Sequence, residues 1–299
     1  MMARTKKKAT APAERTFKRK RGFFTFAQNG THDYLRMAYA LALSLKETQE
    51  EVTYLAVGVT PGQVVPEEYK WAFDEIIEIP WGDAAEDSSW KLENEWKAYH
   101  MTPYEETIKL DCDMLFLDDI SSWWDMLAKQ DVCAATTALT YRGEVATNDF
   151  YRKTFTANEL PNVYTAFMYF KYSDLAKELF EMAEIIYHNW EHFRFEFLKE
   201  PRPTELSTDV IFALAMRLIG REDECVPTGT FPNFIHMKTQ LQGWNPDEVT
   251  EDWTEHIGVY FTDELELKIG RYRQLAPLHY HVKSFLTDEM IKMYEEKLK

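Results

Sequence analysis

The chain has 299 residues, 45% of them apolar and 28% charged, which is enough for one large buried core and has the balance of a globular protein. The net charge of −16 is unevenly spread: residues 1–22 carry nine Lys or Arg against one Glu, so the remainder holds −24, which argues against a general nucleic-acid binder. Cys112, Cys133 and Cys225 are too few and too scattered for a disulfide framework or a zinc motif. That fits a reducing cytoplasm. No apolar run approaches the ~20 residues of a membrane helix, and no signal-peptide core follows the basic start.

Residues 1–21 are basic and low in apolar content, which predicts a disordered tail. Such a tail is either an arm that finds the phosphates of DNA or RNA or a solubilising leader. Residues 22–27 (G-F-F-T-F-A) read as a first strand, residues 28–33 as a polar turn and residues 34–46 as a helix with Leu35, Ala38, Ala42 and Leu45 on one side. A second strand over 52–59 ends at Pro61-Gly62, then come a helix over 67–73 and a short strand over 75–79. This alternation predicts an α/β protein with a parallel sheet between helices, whose ligands bind beyond the carboxyl ends of the strands. A helix is expected over 88–100, where Lys91 either meets a phosphate or lies on a solvated face.

The centre of the chain is the stretch 107–120, T-I-K-L-D-C-D-M-L-F-L-D-D-I. With 18 Asp in the chain, one Asp-x-Asp is expected by chance, so the context carries the signal. An apolar strand runs into Asp111-Cys112-Asp113, and Met114 to Leu117 are apolar again. On a continuing strand Asp111 and Asp113 share a face and Cys112 points away. Two neighbouring carboxylates repel unless a cation lies between them, and a divalent ion there can grip a diphosphate.

Further on, strands are expected over 132–137 and 163–170, separated by a polar, irregular loop over 138–160. An amphipathic helix is expected over 174–190. Asp209 stands near the start of a helix over 211–218, where a carboxylate can cap free backbone N–H groups. Residues 234–238 and 278–283 read as short strands, each ending in His-x-Lys, which puts a histidine and a lysine on one strand face. A neutral imidazole from His236, His279 or His281 can join two carboxylates around manganese. A charged amphipathic helix over 287–298 closes the chain.

Three stretches within the first 120 residues, F-F-T-F-A-Q-N-G-T-H-D-Y-L-R-M-A-Y-A-L-A-L-S-L, S-W-K-L-E-N-E-W and K-L-D-C-D-M-L-F-L-D-D-I, occur in the order found in the glycogenin-like (family eight type) retaining glycosyltransferases, and the chain resembles that family. The resemblance implies a GT-A fold, with a Rossmann-like, mostly parallel sheet flanked by helices. It implies one domain over 22–299, with a nucleotide-binding half over 22–120 and an acceptor-side half over 121–299. It places Thr25, Ala27, Gln28, Asn29 and Tyr34 at the nucleoside. The turn is about two residues longer than the family's, so Gln28 and Asn29 can exchange roles. Lys91, Cys112 and Lys283 are assigned to the donor. Asp111, Asp113 and a late-strand histidine, preferentially His281, are assigned to Mn²⁺ or Mg²⁺.

Where the family has Asn and Gly this chain has Tyr164 and Ala166, and where it has Asp-Gln this chain has Thr208-Asp209. Asp209 is therefore the candidate contact to the transferred sugar and, with Lys91, the candidate catalytic pair. The implied reaction moves a sugar from a nucleotide-diphosphate sugar, a UDP-sugar, to an acceptor hydroxyl on a glycan, a protein, a small molecule or a hydroxymethylated base of phage DNA. The alternatives are a nucleotidyltransferase, for which Gln28-Asn29-Gly30 is a poor phosphate loop, and a binding module with a structural Asp pair.

Overall fold

The computed structural model describes residues 15–28, 30–88, 91–146, 152–245 and 247–299. The first half contains β1 (Arg19–Phe26), α1 (Tyr34–Thr48), β2 (Leu55–Val59), α2 (Glu67–Lys70), β3 (Glu75–Glu78), α3 (Ala98–Met101), β4 (Tyr104–Leu110), β5 (Met114–Leu115) and α4 (Ser121–Leu127). Then follow β6 (Val132–Ala135), β7 (Thr137–Leu139), α5 (Lys153–Asn158), β8 (Tyr164–Lys171), α6 (Asp174–His188), α7 (Trp190–Phe197), α8 (Thr208–Leu218) and α9 (Glu222–Cys225). The last part holds β9 (Asn233–His236), β10 (Val259–Phe261), β11 (Leu267–Ile269), β12 (Tyr272–Arg273), β13 (Leu278–His279) and α10 (Asp288–Lys297).

The main sheet has the order β3-β2-β1-β4-β8-β6. Its first four strands are mutually parallel, and β8 runs antiparallel to both β4 and β6. Side chains alternate across it, as a period of two requires. Phe23, Ile108 and Leu110 enter the core shared with α1, α4 and α10, whereas Phe24 and Phe26 enter the core shared with α6 and α8. A second sheet, β5-β13-β9-β7, continues from the end of β4, and β10-β11-β12 form a small antiparallel sheet.

Close strand packing leaves no room at Gly22: a Cβ there would stand 2.5 Å from the buried Tyr104 ring. Gly22→Ala is expected to cost about 1–3 kcal/mol through overpacking, read as a lower urea midpoint with an unchanged slope.

The structure moves several expected boundaries. β1 starts at Arg19, so residues 15–21 belong to the folded body rather than to the tail. Their cations have partners inside the protein. Arg15 donates to the carbonyls of Tyr99, His100 and Thr102, Lys18 and Arg19 pair with Asp74, and Arg21 pairs with Glu106. The rest of the expected tail, residues 1–14, lies outside the described residues.

The helix expected over 88–100 is not formed as such. Within its described residues, Lys91 is left-handed (φ 58°) and regular structure begins only with a 3-10 turn at Glu95–Lys97 followed by α3. Part of the expected loop over 138–160 is ordered as the end of β7 and as α5. The element α7 and the small sheet β10-β11-β12 have no counterpart in the sequence reading.

Candidate active site

A cleft of about 540 Å³ opens where β1 and β4 end and the second sheet begins. β4 stops at Leu110, and the chain turns through Asp111-Cys112-Asp113 into β5. The two acids thus sit on a turn, not on one strand face, and the expected geometry is corrected: a turn brings both carboxylates to the cleft without the alternation of a strand. Cys112 between them is buried in the core and also borders the cleft. Burial pushes its thiol well up, which keeps it neutral and un-nucleophilic.

The histidines arrive through strand pairing. β13 pairs with β5, setting His279 opposite Met114, and the Tyr280 N–H donates to the Asp113 carbonyl at 3.2 Å. His279 Nε2 then lies 3.1 Å from Asp113 Oδ2 and 3.9 Å from Asp111 Oδ2. The strand ends there. His281 has φ 62°, and this reversal, rather than a shared strand face, returns its ring to the same place. One ligand atom each from Asp113, His279 and His281 falls within 4.8 Å of the others.

His236, on the neighbouring β9, stacks on His279 with centroids 4.6 Å apart. The expected His-x-Lys strand faces are likewise absent. Lys238 follows the end of β9, and Lys283 begins a 3-10 turn. Lys283 nonetheless reaches Asp113 Oδ2 at 2.6 Å, with its ammonium 5.6 Å from the Tyr34 ring centroid.

The electrostatics are those of a cation site. Burial pushes the Asp113 carboxyl up, but His279 and Lys283 overrule it and hold it well below the usual carboxylate range. Burial, helped by Lys238 and His279, pushes His281 down to about 3, so its imidazole is neutral. The Nδ1 atoms of His236 and His279 are buried without a hydrogen-bond partner among the described residues. Two carboxylates beside the neutral His281 imidazole, with unused buried nitrogens on His236 and His279, form a donor set that fits a divalent ion tolerant of mixed oxygen and nitrogen ligands.

The expected donor wall is partly assembled. Thr25, Gln28 and Tyr34 line the cleft. The Thr25 hydroxyl donates to the Leu110 carbonyl at 2.8 Å, tying β1 to β4 just before the acidic turn. Ala27 is fully buried outside the lining, and its carbonyl accepts from Gln63. The Gln28 amide is engaged by Asp83 at 2.7 Å and by Asn94 at 3.2 Å. Asp83 also accepts from Thr60, Asn94 and the Ala85 N–H, so Gln28 belongs to a polar knot that secures the wall from behind. Asn29 lies outside the described residues. Lys91 does line the cleft, with its ammonium donating to the carbonyls of Ala85 and Glu86 at 2.8 and 2.7 Å.

Asp209 also lines the cleft. It is not the cap of α8. Ser207 occupies that position, and Asp209 accepts instead from the Thr165 N–H and hydroxyl, both at 2.8 Å, and from Arg152 at 2.9 Å. Tyr164 and Ala166 bracket Thr165 on the cleft wall.

Three residues here escape sequence reasoning. Arg152 lies in the stretch read as an irregular loop. Glu95 and Lys109 form an ion pair beneath Asp111, with Lys109 only 2% exposed. The one available signal was Lys109 itself, a lysine between Ile108 and Leu110 at the end of the strand leading to the acidic pair.

A mostly parallel sheet flanked by helices and ending in an acidic turn, with a second small sheet continuing from it, matches the GT-A fold. Among solved structures the chain is similar to the galactosyltransferase LgtC in complex with donor and acceptor sugar analogues. That likeness has a TM-score of 0.53 at 12% identity, over 92% of this chain and 95% of that one. An active-site variant of LgtC gives 0.54 at 12% identity with the same coverage. Mouse xyloside xylosyltransferase 1 gives 0.41 at 11% identity, over 68% of this chain and 83% of that one. No family model matches the chain, and no curated protein matches it in sequence. No helix among the described residues is long and apolar enough to cross a membrane.

Proposed function

We propose that this chain is a metal-dependent glycosyltransferase that moves a sugar from a nucleotide-diphosphate sugar, a UDP-sugar, to an acceptor hydroxyl. The observation that carries the reading is the convergence of Asp111, Asp113, His279 and His281 at the carboxyl end of β4, inside a cleft large enough for a nucleotide sugar. These four residues would hold the ion, manganese by its tolerance of imidazole nitrogen beside carboxylate oxygen. When bound, the ion would supply positive charge to the diphosphate.

The protein's own groups divide the remaining work. Lys283, beside Asp113, would meet the leaving diphosphate, and Tyr34 shapes the wall under its ammonium. Thr25 holds β1 against β4 where the nucleoside would lie. Asp209, fixed by Thr165 and Arg152, would bind a hydroxyl of the transferred sugar in the cleft. LgtC, the protein of matching fold, has been captured with sugar analogues as both donor and acceptor. A glycan hydroxyl is accordingly the acceptor we propose. The basic residues 15–21 are engaged within the body, which removes part of the argument for a DNA acceptor.

Thermal melting tests this reading. Mn²⁺ and UDP together at ~100 times their Kd should stabilise the protein by about 2.7 kcal/mol, a rise of about 5 °C for a chain of this length. The absence of any shift would remove the donor site. Hydrolysis of a panel of nucleotide sugars then identifies the donor, and an acceptor screen that includes hydroxymethylated DNA separates glycan from nucleic acid.

A further inference from the structure

Lys109 stands apart from everything so far assigned to donor or metal. It is on the central strand, its side chain is 2% exposed, and it does not line the cleft. Its ammonium has three partners: the Glu95 carboxylate, Asp111 Oδ1 at 3.2 Å and the Thr165 carbonyl at 3.2 Å. Each leads to the site. Glu95 lines the cleft. Asp111 points its other oxygen, Oδ2, toward His279. Thr165 donates both its N–H and its hydroxyl to Asp209.

We propose that Lys109, balanced by Glu95, is a positioning residue for the metal site: it grips one oxygen of Asp111 so that the other is presented to the cation. The inference rests on the metal-dependent reading above. A buried ion pair is a poor way to stabilise a strand, because apolar residues of similar volume do as well or better. The task apolar residues cannot perform at this position is to hold a carboxylate by one oxygen. The geometry supports that task directly. The Lys109 ammonium holds Oδ1 of Asp111 at 3.2 Å, while Oδ2 lies 3.9 Å from His279 Nε2. Glu95 supplies the counter-charge that keeps Lys109 from neutralising Asp111 outright. Through the Thr165 carbonyl the same ammonium also braces the strand that holds Asp209, so Asp111 and Asp209 share one support. Groups behind metal ligands commonly set affinity by fixing the orientation of a ligand.

The test measures Mn²⁺ binding by titration calorimetry, with and without UDP, alongside thermal unfolding of the metal-free protein. The double variant K109M/E95M removes one charge of each sign, so the net local charge is unchanged while the grip on Asp111 and the bond to the Thr165 carbonyl are lost. It should fold with a melting temperature close to that of the parent and bind Mn²⁺ at least about tenfold more weakly. E95Q keeps volume and hydrogen bonding but leaves Lys109 unbalanced against Asp111, and should weaken Mn²⁺ several-fold. Should the double variant not fold, E95Q alone decides. Binding within twofold of the parent in the deciding variant overturns the proposal and reduces the pair to support of the fold. A parent protein that binds no Mn²⁺ overturns the metal reading and this inference with it, whereas a parent that binds while the variants are unchanged overturns this inference alone.

Discussion

Replacing Asp113 with Asn should abolish donor hydrolysis and sugar transfer, a fall of at least about a thousandfold, in a protein that still folds. A ligand that helps stabilise charge on a leaving diphosphate acts in the several-kcal/mol range, and each 1.36 kcal/mol is a factor of ten in rate. Asn keeps the shape of Asp but lacks the charge that draws His279 and Lys283 to Oδ2. The stability cost should stay near 1–2 kcal/mol rather than the 3–5 kcal/mol of a fully buried broken pair, since the Lys283 side chain is 23% exposed and can reach water. Steady-state hydrolysis of the donor beside circular dichroism of the variant checks both parts, and activity within tenfold of the parent would end the metal assignment.

The same carboxylate sets an acid limit. Its folded pKa lies below its unfolded value of about 3.9. Its stabilising contribution is therefore present above that value and lost as pH falls through the folded pKa. The parent should lose stability below about pH 4 more steeply than Asp113→Asn, which has no group left to protonate there.

The second large effect is expected at Arg152. Its guanidinium pairs with Asp209, donates to Asn162 and the Val163 carbonyl, and lies over the rings of Phe155 and Tyr164 at 3.8 and 4.2 Å. Arg152→Met keeps much of the packing volume but leaves Asp209 with only Thr165 of these partners. Burial pushes the Asp209 carboxyl up, and Arg152 with Thr165 brings it below its usual range. The loss should be about 3 kcal/mol, the low end for breaking a buried pair, because the Asp209 side chain is 24% exposed and keeps both Thr165 donors. For a chain of this length that is a fall of about 6 °C in Tm. Transfer should also weaken if Asp209 binds the donor sugar, while Mn²⁺ affinity should not change. An unchanged Tm would show the pair to be idle.

How much of this was legible beforehand differs from residue to residue. Asp111 and Asp113 were identified as a pair because both apolar flanks are written in the same dozen residues, although a turn rather than a strand presents them. The alternation of β1, α1, β2 and β3 was read from local periods of 2 and 3.6, which a linear pattern carries directly. Helix 88–100 misled because its charges and aromatics imitate amphipathic spacing, while the left-handed Lys91 and the docking of Glu95 onto Lys109 interrupt it.

The amino-acid order was sufficient for the strand-and-helix alternation and for an acidic pair at the end of a central strand, since both depend on neighbours a few residues apart. Which histidines meet those acids, that Lys283 reaches Asp113 across 170 residues, and that Arg152 secures Asp209 came from the packing of distant segments. The pairing of β13 with β5, the reversal at His281 and the buried Lys109–Glu95 bridge leave no periodic trace along the chain. Each exists because a sheet edge or a closed core brings groups together that the linear pattern keeps apart.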